Sequence, residues 1–243
     1  MDARGLQCPG PIMRLSKTIG EIENGQAVQI AVLDPAFPED VKAWCQSTGN
    51  TLVNIVPEQG GVVATIAKGS PRMPDASALG GEMLSAMSKK KSIVVFSGDF
   101  DKAMAAFIIA NGAATMGSEV TLFFTFWGLN ILRKPEKVSV SKNMIEKMFG
   151  WMMPRGANKA KLSQMNMAGM GLGMIKGIMR KKNVPSLPEL IKSAQEAGVR
   201  LVACTMTMDL MGIKREELID GIEEGGVAMY LNNAEKGNVN LFI

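Results

Sequence analysis

Two short runs beyond residue 91 restrict the fold of the chain more than any other feature. Ser92-Ile93-Val94-Val95-Phe96-Ser97 and Val199-Arg200-Leu201-Val202-Ala203 are strongly apolar and lack the polar alternation of a half-exposed strand. Between them lie a helical pattern from about Lys102 to Met116 stopped by Gly117, a third apolar run from Glu119 to Thr125, and a helix opened by the capping box Ser186-Leu187-Pro188-Glu189 and stopped by Gly198. Strands buried on both faces need crossover connections, and crossover helices cover those faces, so this half reads as an α/β domain with a mostly parallel sheet covered by helices on both faces. Gly225-Gly226 introduces a helical segment through Tyr230 and Leu231, and Val239 to Ile243 is expected to close the sheet.

The first 67 residues follow a different pattern. Ile12, Leu15, Ile19 and Ile22 recur at steps of three and four between Pro9 and Glu23, which predicts an amphipathic helix ended by Asn24-Gly25. Val28, Ile30 and Val32 alternate as a strand. A second helix from about Pro38 places Val41, Trp44, Cys45 and Thr48 on one face, with Gly49 as its stop, so Cys45 is expected in a core. Thr51 to Val56 and Val62 to Ala67 read as two strands of a hairpin around Glu58-Gln59-Gly60-Gly61. With a short strand at Met1 to Ala3, the order is βαβαββ, a two-layer α+β sandwich.

Residues 68–91 hold Gly69-Ser70-Pro71, Pro74 and Gly80-Gly81 without sustained periodicity and read as a flexible linker, with a short helix around Glu82 to Met87 as an option. The expected domains are therefore 1–67 and 92–243. They differ in charge: residues 1–67 carry net −3, against +4 for the whole 243-residue chain, so the second part is basic. Nine of the 20 methionines fall between Met144 and Met179, mixed with glycine. Loosely patterned core helices are the expected form of that stretch, and an adaptable binding surface is the alternative. No apolar run approaches the roughly 18 residues of a membrane span, and nothing resembles a signal peptide, so a cytoplasmic location is expected. Aromatic residues are too few to support nucleic-acid binding.

With no histidine, Ser-His and Cys-His catalysis are excluded, and three scattered cysteines make neither a disulfide framework nor a zinc site, so no metal is expected. Nucleophilic work falls to cysteine. In Leu6-Gln7-Cys8-Pro9-Gly10-Pro11 the prolines read as a helix start, which puts Cys8 at a cap facing unpaired N–H groups that favour its thiolate. Arg4, Arg14 and Lys17 lie near enough in sequence to add to that effect. The strand Val199 to Ala203 delivers Cys204 to its carboxyl end, where Thr205, Thr207 and Asp209 are expected to cap the next turn. Both thiols are expected to be presented outward at helix starts.

These residues carry two resemblances. Asp2-Ala3-Arg4-Gly5-Leu6-Gln7-Cys8-Pro9-Gly10-Pro11, Asp34-Pro35 and Trp44-Cys45-Gln46-Ser47-Thr48-Gly49 resemble the TusA/SirA-like sulfur-carrier domain over residues 1–67. That resemblance implies that Cys8 carries sulfur as a persulfide. Members usually have more residues before this stretch, so the first strand is expected to be clipped, or the chain to be a piece of a longer fusion. Ser97-Gly98-Asp99-Phe100-Asp101-Lys102-Ala103, the run from Ala203 to Ile213 and Gly225-Gly226-Val227-Ala228 look like the DsrE/DsrF-like family over about residues 90–243. It implies an often oligomeric α/β protein in which Cys204 accepts or relays sulfur. The two modules also occur fused behind a flavin-dependent disulfide reductase, but no flavin or nucleotide fingerprint is visible here, so no cofactor is expected.

The sequence thus points to a cytoplasmic persulfide sulfur carrier or sulfurtransferase with catalytic Cys8 and Cys204. Its expected partners are sulfur-donor and sulfur-acceptor proteins or small persulfides, with self-association through the second domain. Two rivals stand beside this: a dithiol oxidoreductase cycling a Cys8–Cys204 disulfide, and a non-catalytic adaptor that docks a sulfur-metabolism enzyme.

Overall fold

The apolar repeat after Pro9 becomes helix α1 (Gly10–Glu21), whose Pro11, Ile12, Leu15 and Ile19 are buried. In the computed structural model the described residues are 1–6, 9–69 and 89–243. Cys8, most of the expected linker and the optional helix at Glu82 to Met87 lie outside them. The chain divides into two units, one around an N-terminal sheet and one around a C-terminal sheet.

In the first unit α1 is followed by β1 (Ala27–Val32), α2 (Phe37–Thr48), β2 (Thr51–Glu58) and β3 (Gly61–Ala67). The strands are antiparallel in the order β1-β3-β2, with Val32 opposite Val62 and the β2–β3 hairpin closing at Glu58 opposite Gly61. Leu15, Ile30, Val32, Phe37, Val41, Trp44 and Ile66 make the core between helices and sheet. Each such side chain contributes roughly 1.5–3 kcal/mol on burial. The strand expected at Met1 to Ala3 is reduced to a single parallel bridge, Asp2 to Ala31. Ala3 N–H donates to the Ala31 carbonyl (2.9 Å) and Ala31 N–H to that of Met1 (3.1 Å), after which the chain turns away at Arg4-Gly5.

From residue 89 onward the chain forms β4 (Lys90–Val95), α3 (Phe100–Thr115), β5 (Glu119–Phe124), a 3-10 turn at Phe126–Leu132, α4 (Met144–Met152), α5 (Met170–Lys181), α6 (Leu187–Glu196), β6 (Arg200–Cys204), α7 (Thr205–Met211), β7 (Ile222–Gly225), α8 (Val227–Glu235) and β8 (Gly237–Phe242), of which the second unit takes Ser88–Ala114, Ser118–Lys176 and Ser186–Ile243. All four strand pairings are parallel, in the order β7-β6-β5-β4-β8. From β4 to β7 each step moves one place in the same direction, so right-handed crossovers put α3 and α6 on one face. The return from β7 to β8 spans the whole sheet and carries α8 across the other. Neighbouring phenylalanines record the two sides: Phe124 meets Phe107 of α3 at 5.9 Å between ring centres, and Phe123 meets Tyr230 of α8 at 5.3 Å. Asn111 Nδ2 donates to the Leu190 carbonyl (3.0 Å), joining α3 to α6.

The methionine- and glycine-rich stretch does not form core helices. Neither α4 nor α5 contains a buried residue, and Met144 and Trp151 are 86% and 83% exposed. The sheet's faces are already covered by α3, α6 and α8, which leaves these apolar residues no interior to enter.

Candidate functional site

Open parallel sheets place their ligands beyond the carboxyl ends of the strands, and four ends converge here: Ser97-Gly98-Asp99 after β4, Thr125-Phe126-Trp127 after β5, Cys204 at the end of β6 and Gly225-Gly226 after β7. Asp99 Oδ2 accepts from Ser97 Oγ (2.8 Å) and pairs with Lys102 (3.0 Å), which fixes the β4 loop. Phe126 holds a positive φ of 45° and stacks on Phe96 at 5.2 Å, a backbone conformation that costs energy for a bulky residue. The next turn runs so close to the sheet that a Cβ on Gly128 would stand 2.1 Å from the Val95 carbonyl oxygen. Beside it opens a cleft of about 380 Å³ lined by Ser97, Asp99, Lys102, Trp127, Asn130 and Lys161. Cys204 is not among its lining residues.

Cys204 ends β6 and occupies the cap position of α7, as the sequence leads one to expect, but its side chain is buried, with 5% of its surface exposed. The expectation of an outward-facing thiol is therefore corrected for Cys204. Alternation along β6 explains the burial: Val202 and Cys204 share the face that α8 covers, and they cluster with Phe123 beneath Met229 and Tyr230. Gly225 pairs with Cys204 across β6 and β7, and a Cβ there would lie 2.3 Å from Met229 Sδ. A side chain at Gly225 would push the Met229 thioether from its place over the cluster. No side-chain capping bond forms at Cys204, and Thr207 turns inward to share a hydrogen bond with Thr125 (2.9 Å) rather than capping the turn. Local pattern does not mark Met229 and Tyr230 as a cover. The signal available was the glycine pair followed by a helix, together with the parity of Val202 and Cys204.

In the first unit Pro9 is the residue that precedes α1, and Cys8 itself lies outside the described residues. Of the cations considered for it, Arg4 is engaged with Asp2 (3.3 Å) and Glu58 (2.5 Å), and Arg14 donates to the Asp2 carbonyl (2.9 Å). Lys17 is exposed. Cys45 is 4% exposed in the core, and burial pushes its thiol up to about 11, so it is unsuited to nucleophilic work. Cys45 and Cys204 are both free thiols. Among the described residues there is no group of three or more His, Cys, Asp or Glu side chains able to hold a metal, and no helix is long and apolar enough to cross a membrane.

The model of the DsrE/DsrF/DrsH-like family matches residues 87–242. The chain belongs to that family. Residues 1–68 match the model of sulfurtransferase TusA, so a TusA-type module precedes the DsrE-type one. The second module is 64% identical over 156 residues to the uncharacterized protein YrkE of Bacillus subtilis, covering 64% of this chain and 98% of that protein. It is 38% identical over 159 residues to the sulfur carrier protein DsrE2 of Allochromatium vinosum, covering 64% of this chain and 98% of that protein. The first module is 38% identical over 60 residues to the sulfur carrier protein TusA of the same organism, covering 25% of this chain and 79% of that protein. Both modules thus come from sulfur-carrier and sulfurtransferase families, which supports a role in sulfur relay.

Proposed function

We propose that the chain is a cytoplasmic persulfide carrier in which Cys8 and Cys204 each accept and hand on sulfane sulfur. The observation that carries this reading is the position of Cys204, a free thiol at the carboxyl end of β6 in the module that belongs to the DsrE-type family. In the proposed step the cysteine thiolate attacks the outer sulfur of a donor persulfide. The donor's S–S bond breaks, a new S–S bond forms on the cysteine, and the donor leaves as a thiolate that takes up a proton from water; no external oxidant or reductant is consumed. Delivery to an acceptor thiolate is the same step in reverse. The apolar cover of Met229 and Tyr230 supports a carrier role, because it would keep water and stray thiols from a bound persulfide until α8 moves. The reading includes self-association through the C-terminal unit, supported by the exposed Met144, Ile145, Trp151 and Met152 of α4.

The test is mass spectrometry of the whole chain after incubation with glutathione persulfide and alkylation of the remaining thiols. One added sulfur atom is expected on Cys8 or Cys204 and none on Cys45. A folded chain with neither cysteine modified would overturn the proposal. A Cys8–Cys204 disulfide without added sulfur would favour the oxidoreductase reading instead.

A further inference from the structure

Glu217 is 1% exposed, and three cations converge on its carboxylate: Arg133 (3.2 Å), Arg155 (2.9 Å) and Lys142. All three are largely buried themselves, with side-chain exposures of 0%, 14% and 7%. Burial of charge is tolerated where it is paired, and here Glu217 faces three positive charges, with Glu146, itself paired with Lys214 (3.0 Å), as a second carboxylate acting on Lys142. Among the described residues Arg133 Nε has no hydrogen-bond partner, and burial together with the nearby Arg155 lowers the pKa of that guanidinium.

Beside this cluster lies a cavity of about 230 Å³ whose lining includes Lys137, Lys142, Lys147, Arg155 and Glu217. Among the described residues no carboxylate pairs with Lys137 or Lys147. Gly150 forms part of the wall: a Cβ there would stand 3.6 Å from Lys142 Nζ, so an anion entering past this residue meets that ammonium, while Arg133 lies behind the wall. The volume falls below the roughly 300 Å³ at which pockets for drug-sized ligands begin, which suits a small ion and its waters.

From these observations we infer that the cavity binds a small tetrahedral oxyanion of charge −2, of the sulfate, thiosulfate or phosphate type, held by Lys137, Lys142, Lys147 and Arg155. Tetrahedral oxyanions offer several acceptor oxygens, and Arg and Lys donors give charge-assisted bonds to each of them. The inference is independent of the sulfur-transfer reading, because no cysteine takes part.

Calorimetric titration of the full chain with sodium sulfate, thiosulfate or phosphate, against sodium chloride at matched ionic strength, tests it. Saturable one-to-one binding of at least one oxyanion is expected, and the ranking of the three distinguishes a sulfur oxyanion from phosphate. The double variant Lys137→Gln with Lys147→Gln removes two exposed charges and should weaken binding about tenfold. Gly150→Glu places a carboxylate in the cavity at a helical position that tolerates it and should abolish binding while the chain stays folded. A variant lacking both Cys8 and Cys204 should bind as the native chain does. The inference is overturned if no oxyanion binds saturably above the chloride control, or if the Gly150→Glu chain binds with unchanged affinity.

Discussion

Cys45 and Cys204 are equally hidden from solvent, yet their settings differ in what they permit. Cys45 belongs to the core cluster with Val41, Trp44 and Ile66, and burial there pushes its thiol up to about 11. Near pH 8 roughly a thousandth of it is ionised, so iodoacetamide should leave Cys45 unmodified in the native chain and modify all three cysteines in denaturant. Peptide mapping after brief alkylation reads this directly, and rapid native labelling of Cys45 would show that the thiol is not held in the core. Cys204 sits instead at a strand end beneath two side chains of one short helix, so its exposure depends on that helix rather than on the whole core.

At the scale of elements, α8 is the return crossover of the sheet and the cover of the β6 terminus. It has nine residues, none fully buried, and Val227 and Leu231 face solvent at 67% and 48% exposure. Short helices held by few buried contacts open at low cost, which makes α8 the natural element to uncover Cys204. Met229→Ala should therefore raise the rate of native alkylation at Cys204 several-fold, with a stability loss of about 1–3 kcal/mol for the truncated, partly buried side chain. Stopped-flow labelling beside urea unfolding separates the two effects, and an unchanged labelling rate would mean that access follows another route. This cover was only half legible in sequence. The glycine pair before the helix marks a close approach of backbone to sheet, but which side chain descends there depends on the crossover passing over the β6 end.

The whole second unit is tied by Glu217, which joins segments distant in sequence: the 3-10 turn that ends before Arg133, the loops at Lys142 and Arg155, and its own loop after α7. Burial by itself would raise this carboxyl, but the hydrogen bonds from Lys142 and the Lys214 backbone together with the nearby cations outweigh it and hold the group at about 2 against an ordinary 4.5. A depressed carboxyl stabilises the fold fully above its ordinary pKa and ceases to do so as pH falls through 4.5 toward 2. About 3 kcal/mol should be lost over that window, read by urea unfolding as a function of pH. Glu217→Gln should remove most of that acid dependence while lowering stability at neutral pH, because the three cations then lack their partner.

Periodicity, glycine stops and the capping box at Ser186 mark α1, α2, α3 and α6, the antiparallel hairpin of the first unit, four of the five parallel strands that follow and the strand-end position of Cys204, but not the edge strand β7 or the bounds of α4 and α5. Those are local properties, set within one helical turn or one strand by side-chain size and backbone freedom. Four things were decided only by tertiary structure: that the start of the chain pairs at a single bridge, that the methionine-rich helices lie outside, that Cys204 is covered, and that Glu217 gathers three cations. Each depends on which surfaces are already occupied when distant segments meet. Local pattern records a residue's preference for burial or pairing, but not whether a partner surface is free to accept it.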